Sequence, residues 1–372
     1  MKPVTAPDIA VVIPARNEEE RIAACLAALA GQCPGRVAVI LVVNNTTDRT
    51  EDVARDAAGQ LGLDLTVLSL RLGAQEGVGT ARRIGCDHAL RSLPALRYLF
   101  TTDADGIVDK HWISRTIAHL KAVDAVCGKI EPMAREAGIL AAMDRHLGAL
   151  EGLYRRLVQD FYARHVPGCA DLAGTHGEAA GASLAFTRDA FVAAGGFAPI
   201  KCGEDRRIVR TLRGLGCKVR HADDVTVQVS CRLSGRAAGG MSDALRARIG
   251  QADYLIDDCL PPADWLTRRA YTETLGPWPP LVPTRFRIKV CDLPRHIEML
   301  KTYRNSEWLI PAPDAPAATL SQSVRDSEAP EWGSATVPAD PRPQTRRDTF
   351  PGTSVAILKP TVGTADPERS PR

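Results

Sequence analysis

Short apolar runs alternate with amphipathic stretches over the first 130 residues of the chain. The apolar runs are rich in branched and aromatic side chains, which predicts β-strands at residues 9–13, 37–43, 63–70 and 98–102. The stretches between them carry apolar residues at helical spacing, such as Ile22, Leu26 and Leu29. Strands separated by helices predict an α/β fold, in which helices flank both faces of a mainly parallel central sheet.

Capping signals indicate where two of the first helices begin. Asn17 is followed three residues later by Glu20, and Asp48 is followed by Glu51, so both pairs match a capping box. We therefore expect one helix to start at Asn17 and another to start just after Asp48. Further helices are predicted at residues 80–90, 189–194 and 204–215, and further strands at residues 182–187, 219–221 and 225–229.

The other segments depart from this alternating pattern. Residues 131–180 are predicted to form a mostly helical insertion. An apolar stripe within it is expected to pack into the core, the alternative being a cover over an acceptor site: Leu147, Leu150, Tyr154, Leu157 and Phe161. Residues 241–310 are predicted to be a helical extension that prolines interrupt. Residues 311–372 hold eleven of the 26 prolines, which predicts a disordered tail.

Composition is typical of a globular protein with a substantial core, since 45% of the 372 residues are hydrophobic and 24% are charged. A net charge of +3 is too small to indicate nucleic-acid binding. No apolar run reaches the length of a membrane span, and peripheral membrane contact stays an open alternative. The ten cysteines form no Cys-x-x-Cys pair, so we expect reduced thiols and a cytoplasmic protein.

Two carboxylates follow the fourth predicted strand, in the sequence YLFTTDADG at residues 98–106. Asp103 and Asp105 lie one residue apart, so at a strand end both side chains would point the same way. Carboxylates held this close repel each other unless a cation joins them. Mg²⁺ binds a few carboxylates together with substrate phosphates, so the pair suits a divalent cation that carries a diphosphate. Alone the pair is weak evidence, because chance supplies about one or two in a chain of this length.

Polar loops also follow the first two predicted strands, and parallel strands bring their carboxyl ends to one edge of a sheet. In the loop at residues 14–19, Pro14 would end the strand and Asn17 would cap the helix. Neither role explains Arg16. In the loop at residues 44–50, the side-chain amides of Asn44 and Asn45 suit the recognition of a base or a ribose.

A helix near residue 80 begins with two cations, Arg82 and Arg83. Exposed cations on a helix are usually solvated, but at this position they could face phosphates. Further on, the small residues Gly-Ala-Ser at positions 181–183 lead into a strand.

Two later motifs have ordinary explanations of their own. Glu204 and Asp205 begin a helix, where their charges complement the helix dipole. The loop at residues 230–240 carries Arg232 and Arg236, and it either closes over a diphosphate or is a surface loop.

The order of these motifs resembles that of the family 2 glycosyltransferases over residues 8–240. These enzymes have the A-type nucleotide-diphospho-sugar transferase fold, so the resemblance implies a mixed, mainly parallel sheet with a Rossmann-like nucleotide-binding half. It also implies a catalytic domain at residues 1–240. In that domain residues 1–130 would bind the nucleotide sugar, residues 131–180 are the insertion, and residues 181–240 would form the acceptor and catalytic half.

The resemblance implies roles for individual residues as well. Asp205 would be the catalytic base beside Glu204, and Asp105 would be the direct metal ligand, with Asp103 as a ribose or outer-shell partner. Nucleotide-sugar contacts are implied for residues of the strand-end loops and the later motifs: Pro14, Ala15, Arg16, Glu18, Asn44, Asn45, Asp48, Arg82, Asp103, Ala104, Gly181, Ala182, Ser183, Arg232 and Arg236.

The implied activity is transfer of a sugar from a nucleotide-diphosphate sugar to an acceptor hydroxyl, with inversion and with Mg²⁺ or Mn²⁺ as cofactor. Many members of the family carry two acidic residues where this chain has Asn44 and Asn45. This departure leaves the base of the donor open: a UDP-sugar is the default, and GDP- and dTDP-sugars are the alternatives. The alternatives are a sugar-phosphate nucleotidyltransferase, an enzyme that retains the anomeric configuration, and a non-catalytic nucleotide-sugar-binding protein. The sequence does not identify the acceptor.

Overall fold

A computed structural model of the protein describes residues 6–33, 36–236, 239–250, 253–272 and 274–307. The predicted disordered tail, residues 311–372, lies outside the described residues. The strands found in the described ranges are β1 (Ile9–Ala15), β2 (Val37–Asn44), β3 (Asp64–Leu70), β4 (Tyr98–Thr101), β5 (Ile107–Val108), β6 (Ala125–Pro132), β7 (Leu184–Thr187) and β8 (Val219–Val229).

The α-helices of the same ranges lie mainly between the strands and after the last one. They are α1 (Ile22–Leu29), α2 (Thr50–Leu61), α3 (Val78–Ser92), α4 (Trp112–Leu120), α5 (Arg145–His165), α6 (Arg188–Ala193), α7 (Glu204–Gly214), α8 (Met241–Gly250), α9 (Ala263–Tyr271) and α10 (Leu293–Glu307).

The strands form one sheet in the order β3-β2-β1-β4-β7-β6-β8-β5. Strand β1 runs parallel to both of its neighbours, β2 and β4, and β2 runs parallel to β3. Strand β7 is antiparallel to β4 and β6, and β5 is antiparallel to β8. The predicted α/β fold with a mixed, mainly parallel sheet is therefore confirmed. Because β1, β2 and β4 are parallel, the loops that follow them share one edge of the sheet.

The predicted strands and later helices agree with the observed ones to within two residues at each end, except at β8, and three observed elements were not predicted: β5, β6 and α4. The two segments predicted near residue 225 are one continuous strand, β8. Strand β6 was not predicted, because Gly128, Lys129 and Glu131 interrupt its apolar alternation. It forms because β7 and β8 pair with it on both sides.

The prediction that a helix starts at Asn17 is wrong, since α1 starts at Ile22. The backbone of Asn17 has a φ of +54°, in the left-handed region that Asn tolerates better than most residues. Its side-chain oxygen accepts a hydrogen bond from the Thr47 backbone N–H at 2.8 Å. Asn17 therefore links two loops instead of capping a helix.

The start of α2 agrees with only half of its predicted capping box. The Asp48 carboxylate accepts hydrogen bonds from the backbone N–H and the hydroxyl of Thr50, at 3.0 and 2.5 Å. The Glu51 carboxylate instead accepts from Arg55 at 2.7 Å and from Ser69 at 2.5 Å. Glu51 is therefore occupied by its neighbours on α2 and β3 and does not complete a capping box.

Alternate residues of β1 pack into cores on opposite faces of the sheet. Ile9, Val11 and Ile13 belong to the core that includes side chains of α1, α2 and α4. Ala10 and Val12 belong to the core that includes side chains of α3, α6 and α7. All five residues are fully buried, so β1 is fixed centrally and the position of its loop is well determined.

A third core joins the helical insertion to the C-terminal extension. Tyr154, Leu157 and Phe161 of α5 pack with residues such as Trp278 and Leu293. The interpretation of the apolar stripe on α5 as core packing is thus confirmed. Among the described residues, no helix is long and apolar enough to cross a membrane.

Candidate active site

Hydrogen bonds join the loops after β1 and β2 into one rim at the edge of the sheet. Thr50 Oγ accepts a hydrogen bond from the Glu18 backbone N–H at 2.8 Å, and Asp48 accepts one from the Glu19 N–H at 3.2 Å. The Glu19 carboxylate in turn accepts from the Arg49 N–H at 3.0 Å. These bonds fix the backbone of the predicted nucleotide loop relative to the second loop.

The amides of Asn44 and Asn45 hold neighbouring backbone. Asn44 Nδ2 donates to the Ala15 carbonyl at 3.1 Å. Asn45 forms two hydrogen bonds with the backbone of Leu72, at 2.9 and 2.7 Å, and its φ of +47° lies in the left-handed region. Both side chains therefore support the rim, and their contact with a base stays a prediction.

Arg82 joins the two acidic motifs that lie far apart in the sequence. Its guanidinium donates to the Asp103 carboxylate at the end of β4 and to the Glu204 carboxylate at the start of α7. Arg82 is only 3% exposed and Glu204 only 1%, so each charge needs the other as a partner. Gly181 leaves room for this contact, because a Cβ atom there would lie 2.3 Å from Arg82 Cζ.

Two carboxyl groups of this cluster have raised pKa values, because they are buried and lie near other carboxylates. Burial raises the pKa of Glu204 to about 7, and Asp205 adds to the shift while the charge of Arg82 opposes it. Burial also raises the pKa of Asp105 to about 6, with a further contribution from Asp103. Raised carboxyl pKa values in a cluster of this kind are typical of functional sites.

Asp205 is held mainly by backbone amides. Its carboxylate accepts hydrogen bonds from the Gly181 N–H at 3.0 Å and from the Arg206 N–H at 2.7 Å. The Gly181 carbonyl accepts from Thr101 Oγ at 2.8 Å, which ties this position to β4. The Arg206 side chain lies 3.2 Å from Asp257 instead. Asp205 is partly exposed, so its carboxylate is accessible beside the buried Arg82 bridge.

The loop after β8 lies against the loop after β1. Arg232 donates to both carboxylate oxygens of Glu18, with Nη1 at 2.8 Å from Oε2, and its Nη2 lies 3.1 Å from Asp105. Arg236 donates to the Asn17 carbonyl at 3.0 and 3.3 Å. The structure therefore brings Arg232 to a predicted nucleotide residue and to the predicted metal ligand, whereas Arg236 contacts the backbone of the loop after β1.

Some predicted contact residues are buried, namely Pro14, Ala15, Ala104, Ala182 and Ser183. Ser183 Oγ accepts a hydrogen bond from Trp112 Nε1 at 3.0 Å, which explains this residue by packing. Arg16 is exposed at the rim, where it is accessible to a ligand. Arg83 donates to the Phe197 carbonyl at 2.9 Å and so stabilises a turn. The ligand contacts of the buried residues stay predictions.

Sequence reasoning missed Glu136, which anchors the loop after β8. The Glu136 carboxylate accepts from Arg21 at 2.7 Å, from Ser230 Oγ at 2.9 Å and from the Cys231 N–H at 2.8 Å. A single glutamate in the insertion gives no sequence signal for such a role, because its partners lie in distant segments of the chain.

Asp103 and Asp105 present the oxygen donors that a hard divalent cation prefers. The Asp103 side chain is 37% exposed and that of Asp105 is 19% exposed, so both carboxylates are partly accessible. Among the described residues, no group of three or more His, Cys, Asp or Glu side chains is placed to hold a metal ion. The two aspartates therefore fit Mg²⁺ or Mn²⁺ if substrate oxygens complete the coordination.

Comparison with known proteins finds a family resemblance in the part of the chain that contains β1 to α5. Residues 10–170 match the sequence model of glycosyl transferase family 2. Uncharacterized glycosyltransferases of Mycobacterium tuberculosis and Mycobacterium bovis are each 32% identical over 127 residues, which is 34% of this chain and 50% of theirs. The matched segment thus spans about half the length of these curated relatives.

Solved structures resemble the chain more distantly. The mannosyltransferase PcManGT from Pyrobaculum calidifontis, in complex with GDP-Man and Mn²⁺, has a TM-score of 0.46 at 17% identity, over 83% of this chain and 77% of that one. S. aureus TarS 1–349, in complex with UDP-GlcNAc, has a TM-score of 0.44 at 16% identity, over 72% of this chain and 66% of that one. Over residues 10–170 the chain is thus similar to glycosyl transferase family 2.

Proposed function

We propose that this protein is a metal-dependent glycosyltransferase that moves a sugar from a nucleotide-diphosphate sugar to an acceptor hydroxyl, with inversion at the anomeric carbon. The observation that carries the proposal is the contact of Arg82 with both Asp103 and Glu204. Sugar transfer needs a group that neutralises the leaving diphosphate and a group that accepts a proton. The Arg82 contacts support the presence of both groups at one site. Asp103 belongs to the same motif as Asp105, and Glu204 lies next to Asp205.

The nucleotide would bind along the rim formed by the loops after β1 and β2. Arg16 is exposed there, and Glu18 and Asp48 belong to the same hydrogen-bonded rim. A UDP-sugar is the first donor to test, followed by GDP- and dTDP-sugars.

In the proposed reaction, the Asp205 carboxylate accepts the proton of the acceptor hydroxyl while the hydroxyl oxygen attacks the anomeric carbon. The bond from that carbon to the diphosphate oxygen breaks on the opposite face, so the configuration inverts. Two backbone N–H groups, 3.0 and 2.7 Å from the Asp205 oxygens, orient the carboxylate for this step. A divalent cation held by Asp105 and Asp103 would supply charge neutralisation for the leaving diphosphate.

The test is a binding and turnover screen with UDP-, GDP- and dTDP-sugars in the presence of Mn²⁺ or Mg²⁺. Calorimetry should show donor binding that requires the metal, and this binding should be lost in Asp105→Ala. The control Asp87→Ala removes a carboxylate from α3 whose side chain is 36% exposed, and it should bind the donor like the parent protein. Failure of every nucleotide sugar to bind with either metal would overturn the proposal. Where transfer occurs, the product anomer measured by NMR tests inversion.

A further inference from the structure

We propose that Arg232 is a built-in counter-ion of the metal site, which keeps divalent cations weakly bound until a nucleotide diphosphate takes up its positive charge. The inference rests on the proposed function, since it assumes that diphosphate and metal meet at the end of β4. It adds an order to their binding: the metal alone binds weakly, and the metal with the diphosphate binds tightly.

The guanidinium of Arg232 contacts carboxylates in two loops, the loop after β1 and the loop after β4. It pairs with both carboxylate oxygens of Glu18, and the same guanidinium lies 3.1 Å from the Asp105 Oδ2 atom. The Arg232 side chain is 17% exposed and that of Glu18 is 6% exposed, so solvent screens these charges only partly. Bidentate ion pairs of this kind are stronger and better oriented than ion pairs with a single contact.

The backbone around Arg232 is anchored, so the Arg232 side chain extends from a fixed segment beside the acidic cluster. Just before Arg232, Ser230 Oγ and the Cys231 N–H both donate to the Glu136 carboxylate. The Arg232 carbonyl itself accepts a hydrogen bond from Ser242 Oγ at 2.8 Å. Ser230 and Cys231 are almost fully buried. The segment that carries Arg232 is therefore held beside the acidic cluster.

The charges of the cluster explain why the guanidinium opposes a metal ion. The groups linked by these contacts are the carboxylates of Glu18, Asp103, Asp105 and Glu204 and the guanidiniums of Arg82 and Arg232. With all of them ionised, the cluster carries two negative charges, and without Arg232 it would carry three. A metal ion at Asp105 would also lie beside the guanidinium, and like charges repel.

A diphosphate changes this balance because it brings its own negative charge. Guanidinium groups pair with phosphate oxygens as readily as with carboxylates. When Arg232 pairs with the diphosphate, Asp105 is free to bind the metal, and each ligand then raises the affinity of the other by the same factor.

The experiment measures Mn²⁺ binding by calorimetry, first with Mn²⁺ alone and then with saturating UDP or GDP. The central variant is Arg232→Gln, which removes the charge, and Arg232→Lys is its charge-retaining partner. Arg246→Gln is the matched control, because Arg246 donates to the Leu233 carbonyl of the same loop but contacts Asp243 instead of the acidic cluster. Circular dichroism confirms that each variant is folded.

We expect Arg232→Gln to bind Mn²⁺ alone at least about tenfold more tightly than the parent protein, since it removes one repulsive charge at close range. Arg232→Lys and Arg246→Gln should bind Mn²⁺ alone like the parent. The factor by which the nucleotide diphosphate tightens Mn²⁺ binding should fall in Arg232→Gln and stay unchanged in Arg246→Gln.

Equal Mn²⁺ affinity in Arg232→Gln and the parent protein would overturn the counter-ion role. If Arg232→Gln does not fold, the parent protein alone decides, because Mn²⁺ that binds tightly without a nucleotide contradicts the inference. Failure of the proposed function is distinguishable: no nucleotide diphosphate would then tighten Mn²⁺ binding in any variant, whereas the effect of Arg232→Gln on Mn²⁺ alone would persist.

Discussion

Helix α7 carries an arginine–carboxylate network at each end, and the two networks differ in how their charges are balanced. In its first turn, Glu204 pairs with Arg82, and burial raises the pKa of Glu204. In its last turn, Arg213 donates to Asp171 at 2.8 and 2.9 Å, and His221 Nδ1 lies 2.8 Å from the same carboxylate. Burial raises the pKa of Asp171 too, but the hydrogen bond to His221 and the charge of Arg213 outweigh it and lower the pKa.

The difference separates a network that can accept a ligand from one that is complete. Around Arg82 the carboxylates outnumber the guanidiniums, so the site stays negative and attracts a cation. Around Asp171 the single carboxylate is saturated by its donors, so little is left for a ligand to satisfy. The carboxyl pKa is raised at one end of α7 and lowered at the other, so we expect the proposed chemistry at the first end and a structural role at the second.

The largest expected effect is on turnover, in Asp205→Asn. The amide cannot accept the proton of the acceptor hydroxyl, so we expect the transfer rate to fall by about a thousandfold. Donor affinity should stay close to that of the parent, because the carboxylate acts on the acceptor. Rates come from a transfer assay and affinities from calorimetry. The control Asp189→Asn changes a side chain that is 95% exposed on α6. A transfer rate within threefold of the control would remove Asp205 from the chemistry (about 0.7 kcal/mol of barrier).

The next effect is on stability, in Asp171→Asn. This change leaves Arg213, whose side chain is 2% exposed, without its counter-charge, and should lower the free energy of unfolding by about 3 kcal/mol. Chemical denaturation measures the loss. The control Asp224→Asn removes a carboxylate that is 56% exposed and pairs with His119, and it should cost less than about 1 kcal/mol. Equal losses in the two variants would show that the second network is not a source of stability.

The sequence predicted the sheet and its strand-end loops well, because these depend on local patterns. The apolar run of β1 and the polar residues after it identify a strand and a loop without any knowledge of distant segments. Local pattern also explains the error at Asn17, since Asn is common both at helix caps and in left-handed loop positions. Its actual partner, Thr47, is 30 residues away.

The contacts that unite the site could not be predicted in the same way. Arg232 meets Glu18, which is 214 residues away, and no nearby residue indicates this partner. Arg82 has the sequence features of a solvated helix cation, yet the packing of α3 against β1, β2 and α7 buries it. The motif order that resembles the glycosyltransferases identified the residues involved, whereas the pairing of charges among them required the fold.

A smaller effect concerns the pH dependence of stability that His176 produces. Its ring lies beside the second network, in an edge-to-face contact with the ring of His221. His176 Nε2 lies 3.2 Å from the Cys127 carbonyl, and its Nδ1 accepts the Glu178 N–H at 3.1 Å, so the neutral ring satisfies both neighbours. Burial lowers the pKa of His176 to about 4 from 6.5.

The sign of this dependence follows from proton uptake. The unfolded chain binds a proton at His176 below pH 6.5 and the folded protein only below about 4, so stability is lost as the pH falls through this window. Between pH 7 and pH 5, the free energy of unfolding should fall by about 2 kcal/mol less in His176→Gln than in the parent protein. The control His146→Gln alters an exposed histidine of α5 and should keep the parent's dependence. If the free energy of unfolding depends on pH identically in His176→Gln and His146→Gln, the ring of His176 is not held neutral in the folded protein.

The smallest expected effect is a gain in stability, in contrast to the loss expected in Asp171→Asn. It compares the two networks directly. Asp105→Asn makes the same chemical change as Asp171→Asn, yet we expect it to stabilise the metal-free protein by about 1 kcal/mol at pH 8. Because burial and Asp103 raise the pKa of Asp105 from 3.8 to about 6, its ionised form destabilises the fold above that pH. Protonation removes this penalty, so the gain should disappear when denaturation is repeated at pH 4. A loss of stability at pH 8, like that of Asp171→Asn, would mean that both networks are equally complete.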